Sequence, residues 1–500
     1  MPARLSPAQW FRLALFATLG FRLWLAAAAP VTADEAYFIL WGRHPELGYY
    51  DHPPMIGWWL APLAAISEAG WLMRLPAVLV PGVVALMVHA VLRRWYQRDA
   101  ETADLAALAV LFLPMNVWNV LITTDTPLVL FSVASLLAFA RAAERRSDGL
   151  FLVSGLLLGF AFLSKYFAVL LAFAYGAWAV SARQYRGLAL VVVAALPAGL
   201  LNLYWNIEAC WCNVMFNAIN RHEEGDAGWS AVTPALYAAS LAYLAGPFLW
   251  LAWRERARLR AAARQPGPGV LLLAWLVPLA IFALLSPVKR IGLHWLLSFI
   301  PPLVVTLALV IDRRSLAGAV KLLAAFAGLH VAVIGTVGLL PTDTWKDTRF
   351  YGRLVFPGRA DQLLSAVAPL AQGRVLAADS YASAALLSWH AGGAVPVFGR
   401  GTSHARQDDL ATDWRRLAGR DIVVLRRERP LPQDYAPYFE RIEIREIPLA
   451  GGIYHAVLGQ SFDYAAYRKG VLADIRDRYY RIPSALPVGQ CYFFERYFRR

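Results

Sequence analysis

Charge is scarce in this chain. Of its 500 residues only 16% are Asp, Glu, Lys or Arg, whereas a soluble domain usually carries about 25%. Hydrophobic residues make up 59% of the chain, including 19 Trp, 21 Tyr and 25 Phe. Many apolar runs approach the roughly 20 residues that a helix needs to span a bilayer. The composition therefore argues against a soluble protein and predicts a polytopic α-helical membrane protein.

Cysteine is also scarce, with three residues in the chain. Cys210, Cys212 and Cys491 match no metal-binding pattern, which gives no support to a structural zinc site. Cys210 and Cys212 lie only two positions apart, a spacing that gives poor disulfide geometry. We therefore expect all three cysteines to be structural filler.

Acidic residues are fewer than basic ones, 34 against 48, so the formal net charge is +14. Such a balance could indicate nucleic-acid binding, but in a membrane protein excess Lys and Arg in short loops sets the orientation. The basic residues do cluster in loops between apolar runs, namely RRWYQR (93–98), RAAERR (141–146), SARQYRG (181–187), RERARLRAAAR (254–264) and DRR (312–314). We place these loops on the cytoplasmic face and expect no nucleic-acid partner.

About eleven spans are predicted from the apolar runs. The runs fall near 10–29, 71–92, 103–121, 126–143, 150–164, 166–181, 187–204, 232–253, 269–286, 290–311 and 316–340. The basic start and the AAAAP stretch could belong to a cleavable signal. The first run is long and is interrupted by Arg22, so we expect an uncleaved first span.

The alternation of sides set by the basic loops places residues 55–67 on the outer membrane surface. Residues 30–70 lie outside, and the span at 71–92 must run inward because RRWYQR follows it. MIGWWLAPLAAI, which begins at Met55, has only about a dozen residues and is too short to cross. We therefore expect an interfacial helix over 55–67. Arg22 and Arg74, which lie at membrane depth, are expected to snorkel or to be paired.

Residues 341–500 have a different character. Strand-like runs such as RVLAADS, DIVVLRR and IYHAVLG alternate there with polar turns. We expect a small mixed α/β domain outside the membrane over 341–500, following a transmembrane domain over 1–340.

Titratable residues cluster on the predicted outer face. The richest stretch, DEAYFILWGRHPELGYYDHPP (34–54), contains Asp34, Glu35, Tyr50, Asp51 and His52. Further outer segments supply Asp125 in LITTDTP, Lys165 in FLSKYF, Asn202 and Asn206 in NLYWNIEACW, and Lys289, Arg290 and His294 in SPVKRIGLHW. Ionisable groups at membrane depth are costly and tend to be paired or functional. We expect acids and bases from five loops to meet at one surface.

Each of these residues has a plainer interpretation when taken alone. Asp125 could cap the helix that starts at Pro127, and Lys165 could be an interfacial anchor. His44 is expected to be surface-exposed, and Glu223 and Glu224 are expected to lie in a solvated loop. The argument for function depends on several groups coinciding on one face.

Acids outside the membrane and cations near the lipid boundary suit sugar transfer from a polyprenyl-phosphate carrier. A carboxylate can act as general base on an acceptor hydroxyl or stabilise an electron-poor sugar carbon. Lys and Arg can stabilise charge on the departing phosphate. Sugar nucleotides are normally cytoplasmic, so an outward-facing transferase would use a lipid-linked donor.

The block DEAYFILWGRHPELGYYDHPPM, followed by RLP at Arg74, resembles the bacterial branch of the protein O-mannosyltransferase-like glycosyltransferases. FLSKYFAVLL, YWNIEACW and DSYASAALLSWH (379–390) also resemble segments of this branch. The resemblance covers most of the chain. It implies the GT-C fold, in which 1–340 is the catalytic transmembrane domain with its outer loop at 30–70. It also implies a polyprenyl-phosphate-sugar donor, the bacterial inner membrane and a periplasmic active site.

The same resemblance assigns roles to individual residues. Asp34, with Glu35 beside it, matches the acidic catalytic residue of the first outer loop, and Asp125 matches the second outer-face acid. The candidates for the donor phosphate are Lys165, Lys289, Arg290 and His294. Supporting candidates are Tyr50, Asp51, His52 and Asn206.

Several alternatives stay open at this point. No cofactor is required, but a divalent metal held by Asp34, Asp125 and His52 is an alternative. A transporter or flippase of lipid-linked sugars is the main competing function, and a non-enzymatic envelope scaffold is another. The acids lie near one interface, whereas transport sites usually lie near the midplane, which favours the transferase. The acceptor is expected to be lipid A, core or another envelope glycan or lipid rather than protein.

Overall fold

The computed structural model describes residues 5–221, 228–346, 348, 351 and 357–498. The chain forms two compact units. Unit 1 consists of Met1–Ala29, Ala69–Leu201 and Asp226–Leu339, and unit 2 of Pro30–Glu68, Asn202–Gly225 and Leu340–Arg500. The predicted outer loop at 30–70 therefore folds almost entirely with the C-terminal residues. The predicted domain boundary after residue 340 stays a prediction.

Eight helices in the described part of the chain are long and apolar enough to cross a membrane. They are Pro7–Ala28, Gly70–Arg94, Asp125–Arg145, Tyr185–Glu208, Val232–Arg254, Pro266–Leu285, Leu293–Val310 and Arg313–Leu339. Leu293–Val310 begins with a 3₁₀ turn over Leu293–Phe299, and Gly70–Arg94 is interrupted at Arg74. The chain is thus a multi-pass α-helical membrane protein, as its composition predicts.

The three other predicted spans form shorter helices. Residues 103–121 divide at Pro114 into Ala100–Leu111 and Pro114–Trp118, because proline cannot continue a hydrogen-bonded helix. Asp148–Ser164 has 17 residues and Ala168–Ser181 has 14, with Lys165 between them. Their lengths fall at or below the usual limit for a span, so the count of eleven stays a prediction.

Arg22 is buried in unit 1, where it is paired with backbone carbonyls. Its guanidinium donates to the carbonyls of Ala77, Val78, Asn116 and Asn119. Pro81 has no N–H with which to satisfy the carbonyl of Ala77 within the helix, so Arg22 supplies the missing donor. Arg74 donates in the same way to the carbonyls of Ala26 and Ala29. Both arginines are therefore paired, which was one of the two expected outcomes.

A four-stranded mixed sheet forms the centre of unit 2. Its strands are β1 (Val375–Ala378), β2 (Ile422–Arg426), β3 (Phe439–Leu449) and β4 (Gly452–Phe462), in the order β1-β2-β4-β3. β1 is parallel to β2, and the other two pairs are antiparallel. The apolar side chains of β2 are buried throughout because the strand is central. The mixed α/β character predicted for this part of the chain is confirmed.

Along the chain of unit 2, helices lie before, between and after the four strands. The longer ones are Ala33–Arg43, Met55–Ala64, Ala360–Ala371 and Tyr381–Ala391. Shorter ones include Gln407–Ala411, Tyr464–Tyr467, Ala473–Tyr479 and Tyr492–Tyr497. Met55–Ala64 corresponds to the predicted helix over 55–67. Its position at a membrane surface stays a prediction.

A disulfide joins Cys210 to Cys491 within unit 2. The expectation that the cysteines are filler is therefore wrong for these two, while Cys212 is free and buried. Local spacing considered only the near pair, whereas the true partner lies 281 residues away in sequence. The bond ties the end of the helix Tyr185–Glu208 to the C-terminal segment.

Candidate functional site

Asp34 lies at the second position of the helix Ala33–Arg43 in unit 2. Thr32 caps this helix, and Glu35 completes a capping box: its carboxylate accepts hydrogen bonds from the Thr32 N–H and hydroxyl, both at 3.0 Å. Glu35 is buried, whereas Asp34 is exposed. The Glu35 carboxylate therefore fixes the turn that presents Asp34, and the catalytic role expected for it stays a prediction.

Tyr381 holds the Asp34 carboxylate. Its hydroxyl donates to Asp34 Oδ1 at 3.0 Å. Tyr381 is the first residue of the helix Tyr381–Ala391, which Ser380 caps, so its backbone is fixed. Burial, and then the nearby charge of Asp34, raise the pKa of Tyr381, which keeps its hydroxyl protonated as a donor. Asp34 thus presents an exposed carboxyl group at a helix N-terminus, where the helix dipole favours negative charge.

A second carboxylate lies in the same arrangement. The hydroxyl of Tyr37 donates to Asp51 Oδ1 at 3.1 Å, and the rings of Tyr37 and Tyr381 meet edge to face with centroids 5.7 Å apart. Burial raises the pKa of Asp51 to about 7, and the charge of Asp34 contributes in the same direction. We call Asp34, Tyr37, Asp51 and Tyr381 the tyrosine–carboxylate cluster. The cluster combines the exposed carboxyl group of Asp34 with the buried one of Asp51, whose pKa lies near neutral.

The remaining candidates of unit 2 have mixed outcomes. His52 Nε2 lies 3.9 Å from Asp51 Oδ2, beside the cluster. Tyr50 is fully buried in the unit 2 core and packs on Phe216. Asn206 is also fully buried, and its amide donates to the carbonyl of Asn202 at 2.9 Å while its oxygen accepts from the backbone N–H of Val214. The supporting roles expected for Tyr50 and Asn206 stay predictions.

A cavity of about 690 Å³ adjoins the tyrosine–carboxylate cluster within unit 2. Tyr37 and Tyr381 line it, together with Trp41 and Tyr49, whose rings stack at 4.1 Å. We call it the aromatic cavity. His44 lies at its lining and is exposed, as predicted.

In unit 1 Asp125 and Lys165 form a buried ion pair. Asp125 opens the helix Asp125–Arg145, and Lys165 lies at the break between Asp148–Ser164 and Ala168–Ser181. Lys165 Nζ donates to both oxygens of Asp125, at 2.9 and 2.8 Å. The two residues are 4% and 8% exposed. The break between the two helices places the ammonium group against Asp125, so neither group is an isolated anchor or cap.

The predicted phosphate-binding group is partly assembled around this pair. His294 Nε2 lies 4.0 Å from Asp125 Oδ2. Lys289 is half-buried and Arg290 is exposed, and both belong to the segment between Pro266–Leu285 and Leu293–Val310. The guanidinium of Arg290 makes no ion pair with any described residue. Lys165 is thus held by Asp125, whereas Arg290 is an exposed cation of this group.

The structure leaves the predicted common outer surface untested and gives no support to the metal alternative. The single outer surface proposed for all five loops combines residues of both units and stays a prediction. Within the described residues no three His, Cys, Asp or Glu side chains converge as metal ligands, so the metal alternative with Asp34, Asp125 and His52 gains no support. Glu223 and Glu224 lie outside the described residues.

Sequence reasoning missed Tyr37 and Tyr381. Tyr37 lies within the acidic block, where no signal distinguishes it from the other aromatic residues, and Tyr381 lies 347 residues from Asp34. The segment DSYASAALLSWH, which carries Tyr381, was noted for its resemblance to the family. That resemblance was the available indication that the outer segment contributes to the site.

Comparisons with known proteins agree with this fold. Residues 51–205 match the family model described as dolichyl-phosphate-mannose-protein mannosyltransferase. The lipid A galacturonosyltransferase RgtD of Rhizobium johnstonii is 33% identical over 232 residues, which are 44% of this chain and 47% of that protein. The match thus spans about half the length of the curated relative.

The solved structures extend the likeness to most of the chain. ArnT from Cupriavidus metallidurans bound to undecaprenyl phosphate superposes with a TM-score of 0.61 at 14% identity, covering 90% of this chain and 98% of that one. Its apo state superposes with a TM-score of 0.60 at 15% identity and covers 90% and 97%. At such identity the likeness shows the fold. The chain therefore has the GT-C fold of these structures, and its residues 51–205 match the model of the dolichyl-phosphate-mannose-protein mannosyltransferase family.

Proposed function

We propose that this chain is a glycosyltransferase that moves a sugar from a polyprenyl-phosphate carrier to an envelope lipid or glycan such as lipid A. The observation that carries the proposal is the exposed carboxylate of Asp34, presented by a capped helix and held by Tyr381. The similarity to a lipid A galacturonosyltransferase and to ArnT supports the same class of donor and acceptor.

Asp34 acts on the acceptor or on the sugar carbon. As a general base it takes the proton of an acceptor hydroxyl while that oxygen attacks the sugar carbon and the phosphate departs. When the acceptor is itself a phosphate no base is needed, and Asp34 stabilises positive charge on the sugar. In both cases the hydrogen bond from Tyr381 orients the carboxylate.

We expect cations of the segment SPVKRIGLHW to stabilise the departing phosphate, as the family resemblance implies. Arg290 can bind a phosphate with two parallel hydrogen bonds, which suits a lipid-linked phosphate that gains negative charge during transfer. Lys289 and His294 are its neighbours in sequence. Lys165 has a positioning role here, because its ammonium group holds Asp125 through two hydrogen bonds.

The disulfide supports a periplasmic location for unit 2. Structural disulfides persist in oxidising compartments, including the bacterial periplasm, and are rare in the cytosol. Cys210–Cys491 lies in the same unit as Asp34 and Tyr381. The basic loops that follow the positive-inside rule support the same orientation in the inner membrane.

Purified Asp34→Asn protein tests the role of Asp34. Transfer from a polyprenyl-phosphate sugar to a lipid acceptor should fall by about 10²–10⁴-fold, the usual contribution of a general base. Glu443→Gln, which removes one exposed charge from β3 of the same unit, should transfer at the wild-type rate. Full transfer by Asp34→Asn refutes the assignment. The transporter and scaffold alternatives gain no support from the family model, the curated relative or the solved structures.

A further inference from the structure

The aromatic cavity has the size and position of a substrate site. Its volume of about 690 Å³ lies in the range of small-molecule sites, roughly 300–1,000 Å³. Tyr381 lines the cavity and also donates to Asp34, while Tyr37 lines it and donates to Asp51. A molecule that contacts Tyr381 in the cavity therefore touches the side chain that holds the Asp34 carboxylate, the group proposed to act in transfer.

The aromatic cavity offers the apolar faces of aromatic rings to a ligand. Trp41 and Tyr49 stack with nearly parallel rings, and both line the cavity. A sugar ring offers apolar C–H faces together with hydroxyl acceptors.

The cations at the cavity do not suit an anionic ligand. The guanidinium of Arg43 is held by Glu68 in a two-pronged ion pair and also donates to the carbonyl of Ser388 at 3.1 Å. The other titratable side chain of basic type at the lining is His44, which is exposed. An anion entering the cavity would have to compete with Glu68 for Arg43.

Two further carboxyl groups at the cavity lining, those of Asp408 and Glu46, also disfavour the binding of an anion. Burial raises the pKa of Asp408 to about 7, and the neighbouring Asp409 contributes in the same direction. Burial also raises the pKa of Glu46. An environment that makes these carboxylates costly to ionise makes an additional ligand anion costly for the same reasons.

We propose that the aromatic cavity binds a pyranose ring that carries no negative charge, either a neutral sugar or an amino sugar, beside Asp34. The inference rests on the proposed function for the step that follows binding. The ring could belong to the donor or to the acceptor, since both are glycans, and Glu46 and Asp408 set the discrimination against a uronic acid.

The first experiment measures binding independently of transfer. Full-length protein in detergent is examined by saturation-transfer NMR with the methyl glycosides of a hexose, a hexosamine and a hexuronate. The hexose or hexosamine should bind at least tenfold more tightly than the hexuronate. Equal or tighter binding of the hexuronate overturns the inference, while leaving the proposed transfer reaction untouched.

Variants that change the charge of the cavity lining then test whether the preference for uncharged sugars arises in the cavity. Glu46→Gln combined with Asp408→Asn should reduce the discrimination against the hexuronate about tenfold, and Glu46→Lys alone should also reduce it. Glu443→Gln is the matched control outside the cavity. Unchanged discrimination in Glu46→Lys and the double variant overturns the inference.

Transfer assays identify the source of the sugar. The same variants should change the KM of the polyprenyl-phosphate sugar when the ring belongs to the donor, and the KM of the acceptor when it belongs to the acceptor. Binding of undecaprenyl phosphate without a sugar should not change in either case. Absence of transfer from every lipid-linked donor would refute the proposed function but not the binding preference of the cavity.

Discussion

Replacement of Lys165 by methionine should destabilise unit 1 severely. The ammonium group lies 2.8 and 2.9 Å from the two oxygens of Asp125, and both residues are buried. At an effective dielectric constant of 20 the attraction across 2.8 Å is about 6 kcal/mol, before the cost of desolvation. Lys165→Met removes this attraction and leaves Asp125 buried without its cation. Breaking such a pair usually costs about 3–5 kcal/mol.

The loss should be visible as a lower thermal unfolding midpoint in detergent. On the scale of about 2 °C per kcal/mol for large domains, the midpoint of Lys165→Met should fall by about 6–10 °C. Adding Asp125→Asn removes the stranded charge and should restore most of the midpoint, because a buried pair replaced as a whole is often nearly neutral. An unchanged midpoint in Lys165→Met would refute the buried pair.

The double variant also separates stability from catalysis. When the pair only supports the fold, Lys165→Met combined with Asp125→Asn recovers both the midpoint and sugar transfer. When Asp125 or Lys165 acts on the substrate, the midpoint recovers and transfer does not. The second result is expected if the outer-face acid implied by the family resemblance takes part in the reaction.

Three further predictions concern other residues. The pKa of Asp51 is about 3.9 in the unfolded chain and about 7 in the folded protein, so between these values the folded state holds an extra proton. The free energy of unfolding should therefore fall as the pH rises from about 4 to about 7. In Asp51→Asn the thermal unfolding midpoint should depend less on pH between pH 5 and 8, and a decline as steep as that of the wild type would contradict this. Arg290→Ala should raise the KM of the lipid-linked donor about 10–100-fold, with partial recovery in Arg290→Lys, because a hydrogen bond to a charged group contributes about 1.5–3 kcal/mol; an unchanged KM would remove Arg290 from the phosphate site. Thiol counting on denatured, unreduced protein should find one reactive thiol, that of Cys212, and reduction should lower the midpoint by the equivalent of about 2–5 kcal/mol; three reactive thiols would contradict the disulfide.

Local patterns predicted the elements of the fold well. The apolar runs, the helix after Pro54 and the strands β1, β2 and β4 follow from hydropathy and alternation, which are properties of neighbouring residues. The capping contact of Glu35 was also readable, because Thr32 followed three residues later by Glu35 is a capping box.

The residue pairs of the site and of the disulfide could not be predicted, because their members lie far apart in sequence. Cys210 and Cys491 are 281 residues apart, and Tyr381 reaches Asp34 across 347. Asp125 and Lys165 were both singled out, yet their mutual bond depends on how two helices end beside a third. Arg22 likewise finds its acceptors at a carbonyl that Pro81 leaves without a donor. Such contacts arise from tertiary packing, which periodicity and propensity do not encode.

The most direct test of the account is mass spectrometry of envelope lipids from a deletion strain complemented with wild-type or Asp34→Asn protein. The wild-type protein should add the mass of one sugar residue to an envelope lipid. The strain with Asp34→Asn should lack that mass and accumulate the matching polyprenyl-phosphate sugar. Identical envelope lipids in the two strains, with no accumulated donor, would contradict sugar transfer that depends on Asp34.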